Sequence, residues 1–476
     1  MEKSLSKNSV YMLFYNVLNM IFPLLTGIYV AKVLLPSDVG KVAYAQNIVT
    51  YFVIFAFLGI PTYGLREVAK YKNDGEKLNK LFSELFIINF VSTLVFSAVY
   101  LAVVFSVKEM RASYELYLLV GMLIPLNILD FTWLFEGVED FKFISVRNVA
   151  FKVVSFVLIV IFVKSSDDIN LYAALLVLGS GGNFVLNAVY CNKVARFSFK
   201  GLSFKRHIKP IVFLVAVNLA IEIYMLVDVT MIGMFCDKES VAYYTYASKI
   251  YKVFLQIINT FTVVVIPKLT DRYKRGDTEE FNSLLSGTFY LLLYFAVPLV
   301  VGVAFKADSA ILLLYGERYL PSANILRVLT VIVLFSPVGY LLGSRVCLVV
   351  GCEYKMIIAV FCGMVINVTL NYFFIKAFGA PGAAYASLCS ELVVMVVYVI
   401  LGSKYFKLKR NVPILVNIAV SACVTAAFLY GIGLLKLNPL ADILVSVAGV
   451  MLVYFSTMLI LKDKYLLTFL KKFKKS

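Results

Sequence analysis

Apolar residues in this chain come in long runs. Stretches of roughly 20 follow one another from end to end, and each is long enough to cross about 30 Å of hydrocarbon as a helix. Short groups of charged residues, proline and glycine separate them. Bounded by those breaks, fourteen spans are predicted, at 10–32, 42–64, 83–106, 114–135, 143–163, 170–191, 210–235, 243–267, 286–306, 324–349, 355–376, 382–402, 412–435 and 441–461. Lys3 and Lys7 precede the first run, but it continues past signal-peptide length and has no small-residue cleavage site, so it is read as a span.

Composition agrees with the runs. Of 476 residues, 61% are hydrophobic and 15% charged, far from the balance of a soluble domain. The fold class is therefore an all-α integral membrane protein with about fourteen transmembrane helices. The net charge of +17 is unevenly placed. Thirty of the 45 Lys and Arg fall at the N-terminus, in every second loop and in the C-terminal tail, with the largest clusters at 66–80, 193–209, 268–275, 404–410 and 462–475. The opposite loops hold ten. This bias over short loops puts both termini in the cytoplasm. The charge is mainly a topology signal with some attraction to anionic lipid heads, and nucleic acid is not an expected partner. A single cysteine introduced as Lys72→Cys or Lys274→Cys in a cysteine-free background is expected to resist an impermeant thiol reagent added outside spheroplasts, while Asp308→Cys reacts. Labelling of the first two from outside would reverse the topology.

Seven cysteines stand at no ligand or disulfide spacing and read as small buried hydrophobes. The one histidine, His207 in "KRHIK", reads as solvated. No GxxxxGK[ST] phosphate loop is present.

The chain echoes itself. A shift of 202 positions lays Tyr44-Ala45 on Tyr246-Ala247, Phe52 on Phe254 and Tyr71-Lys72 on Tyr273-Lys274. "FEGVEDFK" is loosely matched by "VGCEYK", and Ala173-Ala174 by Ala383-Ala384. Six spans separate the copies, an even number, so both halves enter the membrane in the same sense. The expected architecture is two parallel six-helix repeats, an N and a C bundle, plus two C-terminal helices. The expected divisions are 1–195 for the first bundle, 196–209 for a cytoplasmic linker, 210–405 for the second bundle and 406–476 for the extra helices and basic tail. Two such bundles with a cleft between them are typical of alternating-access transporters.

The eighth span carries the clearest chemistry. Thr245, Lys249, Lys252, Gln256 and Asn259 recur at steps of four and three and so share one helical face. Two mid-membrane lysines cost roughly 5–7 kcal/mol to insert, and the ten apolar residues from Val253 to Ile266 return only about 3–6 kcal/mol. A helix so marginal suits a wet cavity. The alternative is that both lysines snorkel to one interface. Intramembrane carboxylates are candidate ion or proton sites, and the seventh span has Glu222, one turn from Asn218, and then Asp228. Asn367 and Asn371 share a face of the eleventh span. Arg345 in the tenth span and Glu391 in the twelfth are pathway residues or a structural ion pair.

The 6+6+2 spans, the opening "KNSVYMLFYNVLNMIFPLLTGIYVAKVLLPSDVGKVAYAQNIVTYFVIFAFLGIPTYGLREVAK" and "WLFEGVEDFKFISVRN" before the fifth span resemble the polysaccharide repeat-unit flippases of the multidrug/oligosaccharidyl-lipid/polysaccharide exporter superfamily. The resemblance covers most of the chain and is strongest over 7–150. It implies a transporter, not an enzyme, that moves undecaprenyl-diphosphate-linked oligosaccharide from the inner to the outer leaflet of the bacterial cytoplasmic membrane by rocking of two bundles. The polysaccharide polymerase machinery is a candidate partner. On this reading Lys249, Lys252, Gln256, Asn259 and Arg345 face the substrate. Asn16, Asn19 and Thr26 of the first span and Gln46, Asn47 and Thr50 of the second suit sugar hydroxyls or, equally, interhelical hydrogen bonds. Related lipid II flippases have a cation site built from an acidic residue on helix 7 and an Asn/Asp pair on helix 11. Asp228, Asn367 and Asn371 match it by type, with Asn371 where the relative can have Asp, so Na or H is a candidate coupling ion and no other metal or cofactor is expected. The rivals are a drug or cation antiporter of the same superfamily, which normally lacks a thirteenth and fourteenth span, and a membrane-embedded glycan polymerase, which would present a long polar outer loop. The longest outer loop here, "KADSAILLLYGERYLPSA", is too apolar for a site of its own.

Overall fold

The computed structural model describes residues 2–463, 465 and 466, with side chains from residue 17 onward except those of 217 and 464. Every regular element among them is helical. Thirteen helices are long and apolar enough to cross a membrane, and a shorter apolar one, Val17–Val33, precedes them. They run Pro36–Tyr71, Gly75–Ser106, Tyr114–Gly137, Phe141–Phe162, Ser166–Lys193, Lys205–Phe235, Lys238–Lys274, Thr278–Tyr315, Ser322–Val350, Glu353–Phe378, Ala380–Tyr405, Val412–Leu434 and Pro439–Ile460. All fourteen stand where the apolar runs place them, because helix is the geometry that satisfies every backbone N–H and C=O inside hydrocarbon without a partner chain.

Several ends differ from the expectation. The ninth span runs to Tyr315, so most of the stretch taken for a long outer loop is helix. Its "ADSAILLLY" is made largely of good helix formers. Its charges have partners: Lys306 with Asp442 and Asp308 with Arg327. The second and eighth spans each end in a short basic helix, Ile60–Tyr71 and Ile266–Lys274, and both begin with Ile-Pro. Proline suits a helix start because its missing N–H is an orphan there anyway. At the first of these junctions Leu58 and Gly59 both take positive φ, which breaks the helix. The tenth span contains a π-helical turn, Tyr340–Arg345.

The chain forms two compact units, Met1–Gly233 with Asp237–Ala242, and Met234–Cys236 with Tyr243–Ser476. In the first, a core of Ile60, Val68, Leu81, Phe82, Trp133 and Phe135 gathers the basic helix Ile60–Tyr71 against the third span and the helix Thr132–Gly137. Two glycines allow that approach: a Cβ on Gly64 would lie 2.5 Å from the Trp133 ring, and one on Gly137 would lie 2.4 Å from Val68. The second unit has the corresponding cluster of Leu269, Phe281, Leu285, Val333 and Leu341.

The segment 196–209 is tied to the first unit. Backbone N–H groups of Arg196, Ser198 and Ser203 donate to Asn79, Ser83 and Glu84 of the third span. His207 is not solvated: it is 1% exposed, with Nε2 2.8 Å from Glu84 and Nδ1 2.8 Å from the Tyr63 hydroxyl. Lys205, Arg206 and Lys209 around it are basic, but a buried carboxylate needs a partner, and Glu84 draws both His207 and Arg206. The seven cysteines form no disulfide; Cys191, Cys347 and Cys352 are buried as expected, whereas Cys236, Cys362 and Cys389 are half-buried and Cys423 is exposed.

Candidate functional site

In the second unit the eighth-span stripe is amphipathic in an unusual sense. One face carries Thr245, Lys249, Lys252, Gln256 and Asn259. The opposite face, with Ile250, Phe254, Ile257 and Ile258, lines an apolar crevice of about 470 Å³ shared with the ninth and fourteenth spans. The half-buried Lys249 lays its ammonium 4.8 Å from the centroid of the Tyr246 ring. That ring is itself fixed by stacking on Tyr315 at 4.3 Å. A cation over an aromatic face is stabilised by the ring. Lys252 and Gln256 are exposed. The Asn259 Oδ1 and Thr245 Oγ1 atoms are buried and have no hydrogen-bond partner. Unsatisfied acceptors of this kind call for an explanation, and a polar ligand or water on the stripe is one.

Arg345 joins the far end of this face. Its Nε lies 3.5 Å from Thr262 Oγ1, three residues beyond Asn259, and its guanidinium is 5.8 Å from the Tyr340 ring. Glu391 is half-buried on the twelfth span. The π-helical turn that ends at Arg345 widens the helix there, a feature common at functional positions. Arg327, in the same span, is committed elsewhere, to Asp308, Asn324 and the Ala304 carbonyl.

Asn367 and Asn371 are 1% and 0% exposed. Asn371 Nδ2 donates to Asn367 Oδ1 at 3.1 Å, and Asn367 Nδ2 points to Ser390 Oγ at 3.4 Å. Ser390 in turn donates to the Ser387 carbonyl, and Ser387 Oγ lies 3.4 Å from the Tyr244 hydroxyl. The two asparagines thus belong to a buried polar chain across the eighth, eleventh and twelfth spans.

In the first unit Asn47 joins helices. Its Nδ2 donates to Thr230 Oγ1 at 2.7 Å and to the Leu226 carbonyl at 3.3 Å. Thr230 also meets the Tyr51 hydroxyl at 3.0 Å. Asp228 is 8% exposed, and Glu222 is half-buried on the same helix. Asn19 accepts a hydrogen bond from Lys152 of the fifth span. Lys152 is a partly buried intramembrane lysine that the sequence reading passed over, although a lone charge in "VAFKVVSF" is visible signal. The side chain of Asn16 lies outside the described residues.

The model of the family described as "Polysaccharide biosynthesis protein" matches residues 5–272. The capsular polysaccharide biosynthesis protein CapF of Staphylococcus aureus is 22% identical over 415 residues, covering 82% of this chain and 98% of its own. Among solved structures, lipid II flippase MurJ in an inward closed conformation aligns over 96% of this chain and 99% of its own, with a TM-score of 0.75 and 18% identity. An inward-facing multidrug resistance MATE family transporter of the MOP superfamily aligns over 80% of this chain and 93% of its own, with a TM-score of 0.64 and 14% identity.

Proposed function

We propose, from the premise that this chain belongs to the polysaccharide biosynthesis protein family, that it is a flippase for lipid-linked oligosaccharide. Its substrate is an undecaprenyl-diphosphate-linked repeat unit, which passes from the inner to the outer leaflet of a bacterial cytoplasmic membrane by alternating access. The observation that carries the reading is the eighth-span stripe. Two lysines on one face, with unsatisfied amide and hydroxyl oxygens at its ends and Arg345 beyond, match a ligand that is anionic at one point and rich in hydroxyls elsewhere. The likeness to a lipid II flippase over nearly the whole chain, spans thirteen and fourteen included, supports this reading over the antiporter one. The membrane potential supplies a driver, since about two negative charges moving outward gain roughly 4–5 kcal/mol per 100 mV.

The test is direct. Proteoliposomes holding the purified protein and a fluorescent undecaprenyl-diphosphate oligosaccharide in the inner leaflet are expected to expose the sugar to an external glycosidase faster than protein-free vesicles. Export of a cationic drug with no glycolipid movement would favour the antiporter.

Asp228, Glu222, Asn367 and Asn371 are proposed for ion coupling, with Na or H as the ion. Asp228→Asn then leaves insertion intact and removes the dependence of transport on an imposed ion gradient. Unchanged activity with an unchanged ion response would end this assignment.

A further inference from the structure

The two units share a device that the shift of 202 positions misses. At a shift of 203, "DGEKLNKLFS" (74–83) lies on "DTEEFNSLLS" (277–286), with Asp, Glu, Asn, Leu and Ser identical. Both segments start a long span, the third and the ninth. Both open the same way: Asp74 Oδ1 accepts from the Lys77 N–H and Asp277 Oδ1 from the Glu280 N–H. The Asn and Ser then do the same work twice. Asn79 Oδ1 accepts the Arg196 N–H at 2.6 Å and Ser83 Oγ accepts the Ser198 N–H at 2.7 Å. Asn282 Oδ1 accepts the Lys407 N–H at 2.8 Å and Ser286 Oγ accepts the Lys409 N–H at 2.9 Å.

The geometry explains the spacing. Asn and Ser four apart are separated by about 6 Å along a helix. Alternate residues of an extended chain are separated by roughly 6.6 Å. An i, i+4 acceptor pair therefore matches every second N–H of a strand laid along the helix. The residue between the two donors rests on the helix in both units: Phe197, although part-exposed, sits against Phe82 and Phe86, with centroids 5.0 and 4.9 Å away, and Leu408 packs on the Leu285 cluster. The strapped segments are the tails that leave the sixth and twelfth spans.

We propose that Asn79, Ser83, Asn282 and Ser286 are positioning residues that strap each of these tails across the start of the third or ninth span, so that the tail stays fixed to its own unit while the protein works. The transport part of this proposal rests on the flippase reading; the strap itself does not. Trypsin cleavage of the full-length protein in lipid nanodiscs, both faces accessible, reads the strap. Asn79→Ala with Ser83→Ala is expected to speed cleavage after Arg196 by about tenfold or more and to leave Lys407 as in wild type, since it removes two hydrogen bonds of ordinary strength beside that bond. Asn282→Ala with Ser286→Ala should do the reverse. Asn79→Asp with Ser83→Thr keeps both acceptor oxygens and restores protection. Wild-type cleavage in the alanine pairs, or loosening of both tails by either pair, overturns the strap. Translocation should fall with each alanine pair and recover with the Asp/Thr pair; undiminished translocation with an open strap overturns the positioning role. A wild-type protein that moves no glycolipid but shows the expected cleavage pattern overturns the flippase reading and leaves the strap standing.

Discussion

Lys249→Gln with Lys252→Gln is expected to abolish translocation while the protein remains in the membrane at wild-type amount. The insertion energetics make this informative: removing two charges from a span makes the helix easier to insert, so poor expression does not account for the loss. A hydrogen bond to a charged group contributes about 1.5–3 kcal/mol, so losing both ammonium contacts to a diphosphate amounts to roughly two to four orders of magnitude. The two lysines should not weigh equally. Lys252 is exposed on the stripe, whereas Lys249 is half-buried over the Tyr246 ring and its charge acts partly through that ring. Lys252→Gln is therefore expected to cost more than Lys249→Gln, and Lys252→Arg to retain part of the activity because charge matters more here than shape. The measurement is the fraction of lipid-linked oligosaccharide reaching the outer leaflet at matched protein levels. If the double variant works as wild type does, the lysines merely snorkel, and Arg345 is the next residue to test. Arg327 is a poor substitute because its guanidinium already serves Asp308, Asn324 and Ala304.

The helices were legible in the sequence and their polar interiors largely were not. Hydropathy decides whether a run inserts, and each run decides for itself. What a polar group inside the membrane does depends on a partner far away in the chain. Asn47 reads as well for a sugar contact as for the Thr230 bond it makes. His207 sits in the basic stretch "KRHIK" yet is buried because Glu84, more than 100 residues earlier, draws it in. An internal echo was visible at a shift of 202, but its most specific part lies at a shift of 203, since matches of Tyr and Phe are common in a chain this aromatic and a matched Asp-x-Glu-x-x-Asn-x-Leu-x-Ser is not. The stripe of the eighth span was readable because its spacing is local: the helical period alone puts Lys249, Lys252, Gln256 and Asn259 together.

The same dependence on a distant partner sets the largest stability effect expected in the second unit. The sequence places Lys306 at the edge of an outer loop, yet it lies inside the ninth span with its side chain 7% exposed, 2.6 Å from Asp442 of the fourteenth span, whose side chain is 9% exposed. Ser309 and Ser446 also donate to the carboxylate. Removing one partner leaves the other charge buried alone, so Lys306→Met is expected to destabilise by about 3–5 kcal/mol. Asp442→Leu should do the same. Lys306→Met together with Asp442→Leu removes both charges for groups of similar bulk, and such replacements of a buried pair are often neutral or stabilising, so the double variant should return close to wild type. Thermal unfolding of the full-length protein in nanodiscs checks the order, with both single variants melting well below wild type and the double variant near it. Singles that melt with wild type would mean that water reaches the pair. A double variant no better than the singles would mean that the hydrogen bonds from Ser309 and Ser446 to the carboxylate hold the last span against the ninth, rather than the charge pairing itself.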